Sequence, residues 1–266
     1  MLKKIVAVFT VLFSVITTNA SAQKYELGLF AGAAGYKGDL SQFNYFRFTD
    51  PAFGLMFRKN FNPRNTLKVA LTHGKVQAND ATSDIPDQIY RNLRFESIIN
   101  ELTVQYEFNF FSLNPYKEDE RFSPYLTAGI SVFNFDPKAE DGQALQPLGT
   151  EGQGLNGNPS PYHLTEFAVP LGFGLKFRMN DRWNLFSELG YRFTFTDYID
   201  DVSGYYVNLN SAPSTLTKLY ADRSPEAGYP ANIPGNQRGD LRKNDTYMFA
   251  VVGIAFSFVS SRCPTF

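Results

Sequence analysis

The chain has 266 residues, 25 of them basic and 26 acidic, and its formal charge of −1 offers no electrostatic footprint for nucleic acid. Aromatic residues make up 16% of it, with 26 Phe and 15 Tyr, yet its mean hydropathy is mildly negative. Beyond the first residues no run of about 18 apolar side chains occurs, which excludes a transmembrane helix and leaves strands as the only way for this chain to cross a bilayer.

Lys3 and Lys4 precede an apolar stretch from Ile5 to Ile16, and Ala20, Ser21 and Ala22 supply the small residues a signal peptidase requires. An apolar core of about twelve residues is too short to span roughly 30 Å of hydrocarbon. Residues 1–22 therefore read as a cleaved signal peptide, 23–259 as one β-barrel domain and 260–266 as a short C-terminal tail.

Strands of alternating character are predicted near residues 25–35, 52–61, 66–77, 97–109, 124–135, 166–178, 183–196 and 246–258. The clearest sets Phe167, Val169, Leu171, Phe173, Leu175 and Phe177 on one face against Ala168, Pro170, Gly172, Gly174, Lys176 and Arg178 on the other. About eight such segments, each near the length that crosses a bilayer, predict an all-β transmembrane antiparallel up-and-down barrel. Closure leaves no unpaired edge in lipid. The connections alternate in length: Asn62 to Asn65 and Asn180 to Arg182 are tight turns and Asn114 to Ser123 a medium link, whereas 36–51, 78–96, 136–165 and 197–245 are long. Short periplasmic turns and long extracellular loops follow, with both termini in the periplasm of a Gram-negative bacterium.

An Arg or Lys on the lipid face at mid-depth costs about 2 to 4 kcal/mol, so Arg58, Lys68, Lys176, Arg178 and Arg192 are assigned to the lumen. Glu101, Glu107 and Glu188 share that parity, and acids and bases of both signs predict a charge network that plugs the barrel. Trp183, Phe61, Phe108, Phe110, Phe111, Phe256 and Phe258 fall near the periplasmic strand ends, where an aromatic girdle sits.

Chemical sites are sparse. His73 and His163 are the only histidines, and neither lies in a nucleophile motif, so the chain reads as a non-enzyme without cofactor. Asp197, Asp200 and Asp201 offer oxygen ligands but lack the spacing of a calcium loop and read as solvated loop acids or hydrogen bonds fixing the loop base. Gly152, Gly154 and Gly157 lack the strand-to-helix setting of a phosphate cradle and read as loop flexibility. Cys263, the single cysteine, follows the last strand; in an oxidising compartment it is either a free thiol or bonded to another chain.

Certain strings cannot be produced by alternation. Leu27 to Leu40, with Phe30, Gly32, Tyr36, Gly38 and Asp39, Arg58 to Gly74 with its Asn62, Pro63, Arg64 turn, Gln146 to Gln153, and Phe195 to Ser203 resemble segments of the PorG family, outer-membrane barrels of the type IX secretion system, in that family's order. The loop strings Gln146 to Gln153 and Thr196 to Gly204 are the most specific. The resemblance implies a non-enzymatic component of a protein-export machine, embedded in outer-membrane lipid and docked to a periplasmic ring of a lipoprotein and its partner subunit. Cys263 would then be placed to form a disulfide with that partner. The alternative is a stand-alone small barrel, an adhesin or narrow pore acting through its outer loops.

Overall fold

The computed structural model describes residues 24–41, 47–113, 121–155, 159–210, 214–240 and 244–258. Residues 1–22 and the tail with Cys263 lie outside them. Nine strands form one antiparallel sheet: β1 (Lys24–Lys37), β2 (Phe48–Asn60), β3 (Asn65–Asn79), β4 (Arg94–Asn109), β5 (Phe122–Asn134), the two-residue β6 (Pro137–Lys138), β7 (Thr165–Arg178), β8 (Trp183–Thr194) and β9 (Thr246–Phe258). β6 pairs with the start of β4 and bridges to Ala144; the other eight close into a barrel, with β9 returning to β1. Among the described residues no helix is long and apolar enough to cross a membrane.

The pairing fixes the size of the barrel. Partners followed once around run from Tyr25 through Lys59, Leu67, Tyr106, Ala128, Leu171, Tyr191 and Met248 to Gly35, ten residues further along the starting strand. Eight strands with that stagger tilt by about 35 to 45° and enclose an interior that side chains just fill.

Alternation sorts the faces. Leu29, Phe53, Leu71, Ile130, Phe167 and Val252 stand 54 to 67% exposed, an apolar belt whose solvent is hydrocarbon. At the short-turn end Trp183 packs edge-on against Phe256 at 5.1 Å, Phe256 against Phe258 at 5.1 Å and Phe108 against Phe110 at 5.5 Å, with Phe61 and Phe111 exposed beside them. This is the end where both described termini lie.

Two of the short turns share one device. Asn62 Oδ1 accepts the N–H groups of Arg64 and Asn65 at 2.9 and 2.8 Å, and Asn180 Oδ1 accepts those of Arg182 and Trp183 at 2.9 Å each. An Asn side chain thereby replaces the backbone acceptors that a tight reversal leaves missing.

Candidate functional site

The interior holds two layers, a charge network within the strands and a cap made by the long loops. In the lower layer Glu107, fully buried, lies 3.1 Å from Arg58 Nε and also takes the Lys176 ammonium. Arg58 reaches Glu26 at 3.6 Å, and none of its N–H groups has an aligned acceptor. The faces of Phe186, 4.5 Å away, and Tyr125, 5.7 Å away, complete its surroundings, so charge and ring quadrupoles hold this guanidinium where hydrogen bonds do not. Lys68 donates to both oxygens of Glu188 at 2.7 and 2.5 Å, which also accepts the Tyr125 hydroxyl at 3.0 Å. Arg192 donates to both oxygens of Glu101 at 3.1 Å, and Tyr247 adds a hydroxyl at 2.7 Å. Gly174 is required beside this layer, because a Cβ there would lie 2.2 Å from the Tyr125 ring.

Seven of the eight side chains assigned to the lumen by parity thus pair inside it, Arg58, Lys68, Lys176, Glu107 and Glu188 linked through Tyr125, and Arg192 with Glu101 in a second group. Arg178 joins neither: buried at the short-turn end, it donates to the carbonyls of Asn180, Leu113 and Asp181. At the end of its strand it meets the carbonyls left by the turn. Parity also contained Glu26, Tyr125 and Tyr247, which complete these groups but were not singled out in the sequence. Glu26 lies between outward Leu27 and the start of β1, and the two tyrosines look like ordinary strand aromatics.

The upper layer is built from loops that alternation could not resolve. Tyr36, Phe95, Ile99, Phe133, Tyr247 and Phe249 rise from the strands and pack with Leu40, Leu93, Leu145, Ile199, Val202 and Tyr220 from the loops in one buried cluster. Phe135, Tyr162 and Tyr198 continue it as a stack, the tyrosine rings 4.5 Å apart and 4° from parallel. The loop after β3 forms a helix, α1 (Pro86–Arg91), with proline at its start and Asn92 in the left-handed region at its end. The loop before β9 carries α2 (Thr215–Ala221), capped by the Ser214 hydroxyl on the Leu216 N–H.

Two buried arginines join the four long loops. Arg91 forms a bidentate pair with Asp80 at 2.7 and 2.8 Å and donates to the carbonyls of Asp39 and Arg238. Arg238 donates to Glu151 at 2.9 Å and to the carbonyls of Asp201 and Ala221. The two loop strings that carry the family resemblance meet here: Thr150 donates to Asp201 at 2.6 Å, and Glu151 accepts the N–H groups of Ser203 and Gly204 at 2.9 and 3.2 Å. Asp201 holds a left-handed φ of 66°, fixed by these contacts and by Tyr162 at 2.6 Å.

Asp200 and Asp201 are therefore not solvated loop acids; they are 2 and 1% exposed. Burial pushes the Asp201 carboxyl up to about 6, against the pull of Arg238, and Asp200 up to about 8, against Tyr36, Val202 and Arg91. Burial and neighbouring carboxylates raise Asp39 to about 10, Asp245 well above the carboxylate range, and Asp197 to about 7. Each holds its proton more tightly folded than unfolded, where the value is near 4, so cap stability falls as pH rises through the interval between. In EDTA-containing buffer the urea midpoint of the near-ultraviolet dichroism from the tyrosine stack is expected to be higher at pH 5.5 than at pH 8.5. A reversed order would show these acids to be charge-paired.

The histidines stand apart from this chemistry. His73 faces outward in the belt, its Nδ1 2.7 Å from Asn100 Oδ1 and its ring 5.0 Å from that of Phe53; His163 is exposed in a loop. Gly152 and Gly154 take φ values of 81° and 80° in turns, defined backbone positions and not loose loop, while Gly157 lies outside the described residues.

A family model described as a domain of unknown function, DUF6089, matches residues 3–212. No curated protein matches the chain. Among solved structures it is similar to Ail, the attachment invasion locus protein of Yersinia pestis in complex with the heparin analogue sucrose octasulfate, at 10% identity over 90% of this chain and 100% of that one, with a TM-score of 0.43. Neisserial surface protein A is similar at 10% identity over 88 and 97% of the two chains, TM-score 0.42. The N-terminal β-barrel domain of Pseudomonas aeruginosa OprF is similar at 13% identity over 90 and 100%, TM-score 0.39. At such scores these likenesses carry no argument about function, and the barrel rests on its own strand pairing.

Proposed function

Because this chain belongs to the DUF6089 family, whose description assigns no activity, we propose its role from its own architecture: a non-enzymatic outer-membrane subunit of the type IX secretion machinery that docks a periplasmic ring. The observation that carries this reading is the double closure of the barrel. Among the described residues, four cations and four acids fill the lumen beneath a cap in which all four long loops are bonded together, an arrangement that supports a closed barrel over a pore. Such a barrel acts as a rigid fixture. The contact between the Gln146 to Gln153 and Thr196 to Gly204 strings supports the PorG resemblance, since both belong to one packed unit.

In this reading the aromatic girdle marks the periplasmic interface, and the short turns and the tail with Cys263 face the ring-forming lipoprotein and its partner subunit. A disulfide through Cys263 would offset the weakness of contacts made by small turns alone. Deleting the gene in its own cell is expected to retain secreted cargo within the envelope, and cross-linking from the turns should capture the lipoprotein. Normal export without the chain would remove the proposal.

One observation favours the second reading, a stand-alone barrel acting through its loops. An outward cleft of about 700 Å³ is lined by Tyr90, Tyr206 and Tyr229 with Gln88, Asn232, Asn236 and Gln237. Aromatic faces beside amides suit a polar ligand such as a glycan. Loss of host-surface or glycan binding with unchanged export in Tyr229→Ala would move the function to this cleft.

A further inference from the structure

Three carboxylates meet at the rim above three neighbouring strands. Asp39 follows β1, Asp197 follows β8 and Asp245 immediately precedes β9, and the sheet order places β8, β9 and β1 side by side. One carboxylate oxygen from each lies within 4.8 Å of the others. Asp39 and Asp245 are each 1% exposed, and Asp197 is half-buried. Among the described residues no Lys or Arg forms an ion pair with any of the three.

A second observation is independent of the clustering. Asp39 spends Oδ1 on the Asp240 N–H, while its Oδ2 has no hydrogen-bond partner although the side chain is almost wholly buried. Three of the other four oxygens have partners: Asp245 Oδ2 accepts the Ile199 N–H at 2.9 Å, its Oδ1 lies 3.0 Å from the Tyr36 hydroxyl, and Asp197 Oδ2 accepts the Ser203 hydroxyl at 2.7 Å. The Tyr36 hydroxyl, with one proton to give, also lies 2.5 Å from Asp200, bringing a fourth acid to the edge of the group. Burying an unpaired carboxylate is costly, and three together are held only by protons or by a cation.

The chemistry distinguishes among cations. Zinc and its soft relatives prefer imidazole and thiolate, and the group contains neither. Calcium takes six to eight oxygens in a flexible geometry that carboxylates from three separate chain segments can supply, whereas magnesium demands a near-ideal octahedron and keeps several waters. We propose that Asp39, Asp197 and Asp245 form a Ca²⁺ site that ties the first long loop to both ends of the last one, with Asp200 beside it. The ion locks the cap to the barrel rim at the seam where the first and last strands meet.

The test uses the full chain, folded in detergent, stripped with EDTA and exchanged into chelator-free buffer. Terbium is expected to show tyrosine-sensitised emission through Tyr36 and Tyr198, saturating near one ion per chain and displaced by Ca²⁺ but not by the same concentration of Mg²⁺. Calcium should also slow proteolysis of the cap loops. Asp39→Asn and Asp245→Asn should keep the heat-modifiable gel mobility of the barrel and lose at least about tenfold in Ca²⁺ affinity. Asp197→Asn, at the half-buried edge, serves if either fails to fold. Absence of saturable emission from the folded wild-type barrel, equal displacement by Mg²⁺, or unchanged affinity in the folded variants would overturn the site, leaving a proton-sharing carboxylate group.

Discussion

Glu107→Gln is expected to destabilise the barrel by about 3 to 5 kcal/mol, the cost of removing one partner from a buried ion pair. Glu107 is fully buried and serves both Arg58 and Lys176, so its loss leaves two buried cations with Glu26, 3.6 Å from Arg58, and Glu188, which is already paired with Lys68. Adding Lys176→Met restores neutrality and should recover at least half of the loss. That recovery would identify uncompensated charge, and not lost packing, as the cause; a purely additive double variant would refute it. Urea titration followed by fluorescence of Trp183, the chain's single tryptophan, measures both.

The second large effect concerns depth. Leu171 and Phe177 lie on the same outward face of β7, each 45% exposed, with Leu171 near the middle of the strand and Phe177 at its short-turn end. Leu171→Arg should cost about 2 to 4 kcal/mol and Phe177→Arg about 0 to 1, because the second guanidinium can reach the interface. Refolding into vesicles with the same fluorescence readout tests the pair. Equal costs at the two positions would mean that this face does not meet a bilayer.

The fold was legible in the sequence because lipid outside and side chains inside impose a strict period of two. β4 shows it for its whole length, whereas β9 opens with three consecutive buried residues, Tyr247, Met248 and Phe249, where the cap packs on it; parity alone sent Lys68 and Glu188, 120 residues apart, to the same interior. Strand ends were read less well. β2 begins at Phe48 where the sequence suggested residue 52, since Asp50 and Pro51 look like a turn. Pro51 is tolerated at the upper end of β2, where that strand no longer pairs with β3. The cap was illegible for a different reason: its contacts are single long-range meetings, such as Tyr36 with Asp200 or Arg238 with Glu151, that follow no period. Asp39 and Asp245 lie in separate loops and meet only because β1 and β9 are neighbours.

That seam has a consequence for how the molecule comes into being. Tyr25 pairs with Phe258, so the last ladder to form joins the most distant parts of the described chain. Loop-closure entropy rises with separation, and contacts of this range make folding slow. No subset of the strands satisfies its own edges in hydrocarbon, so a nascent chain lacking its final segment has no stable resting place within the bilayer. Folding of this barrel is therefore a post-synthetic event that begins only once the whole chain is available, and a truncation that removes β9 abolishes the entire domain, not one eighth of it.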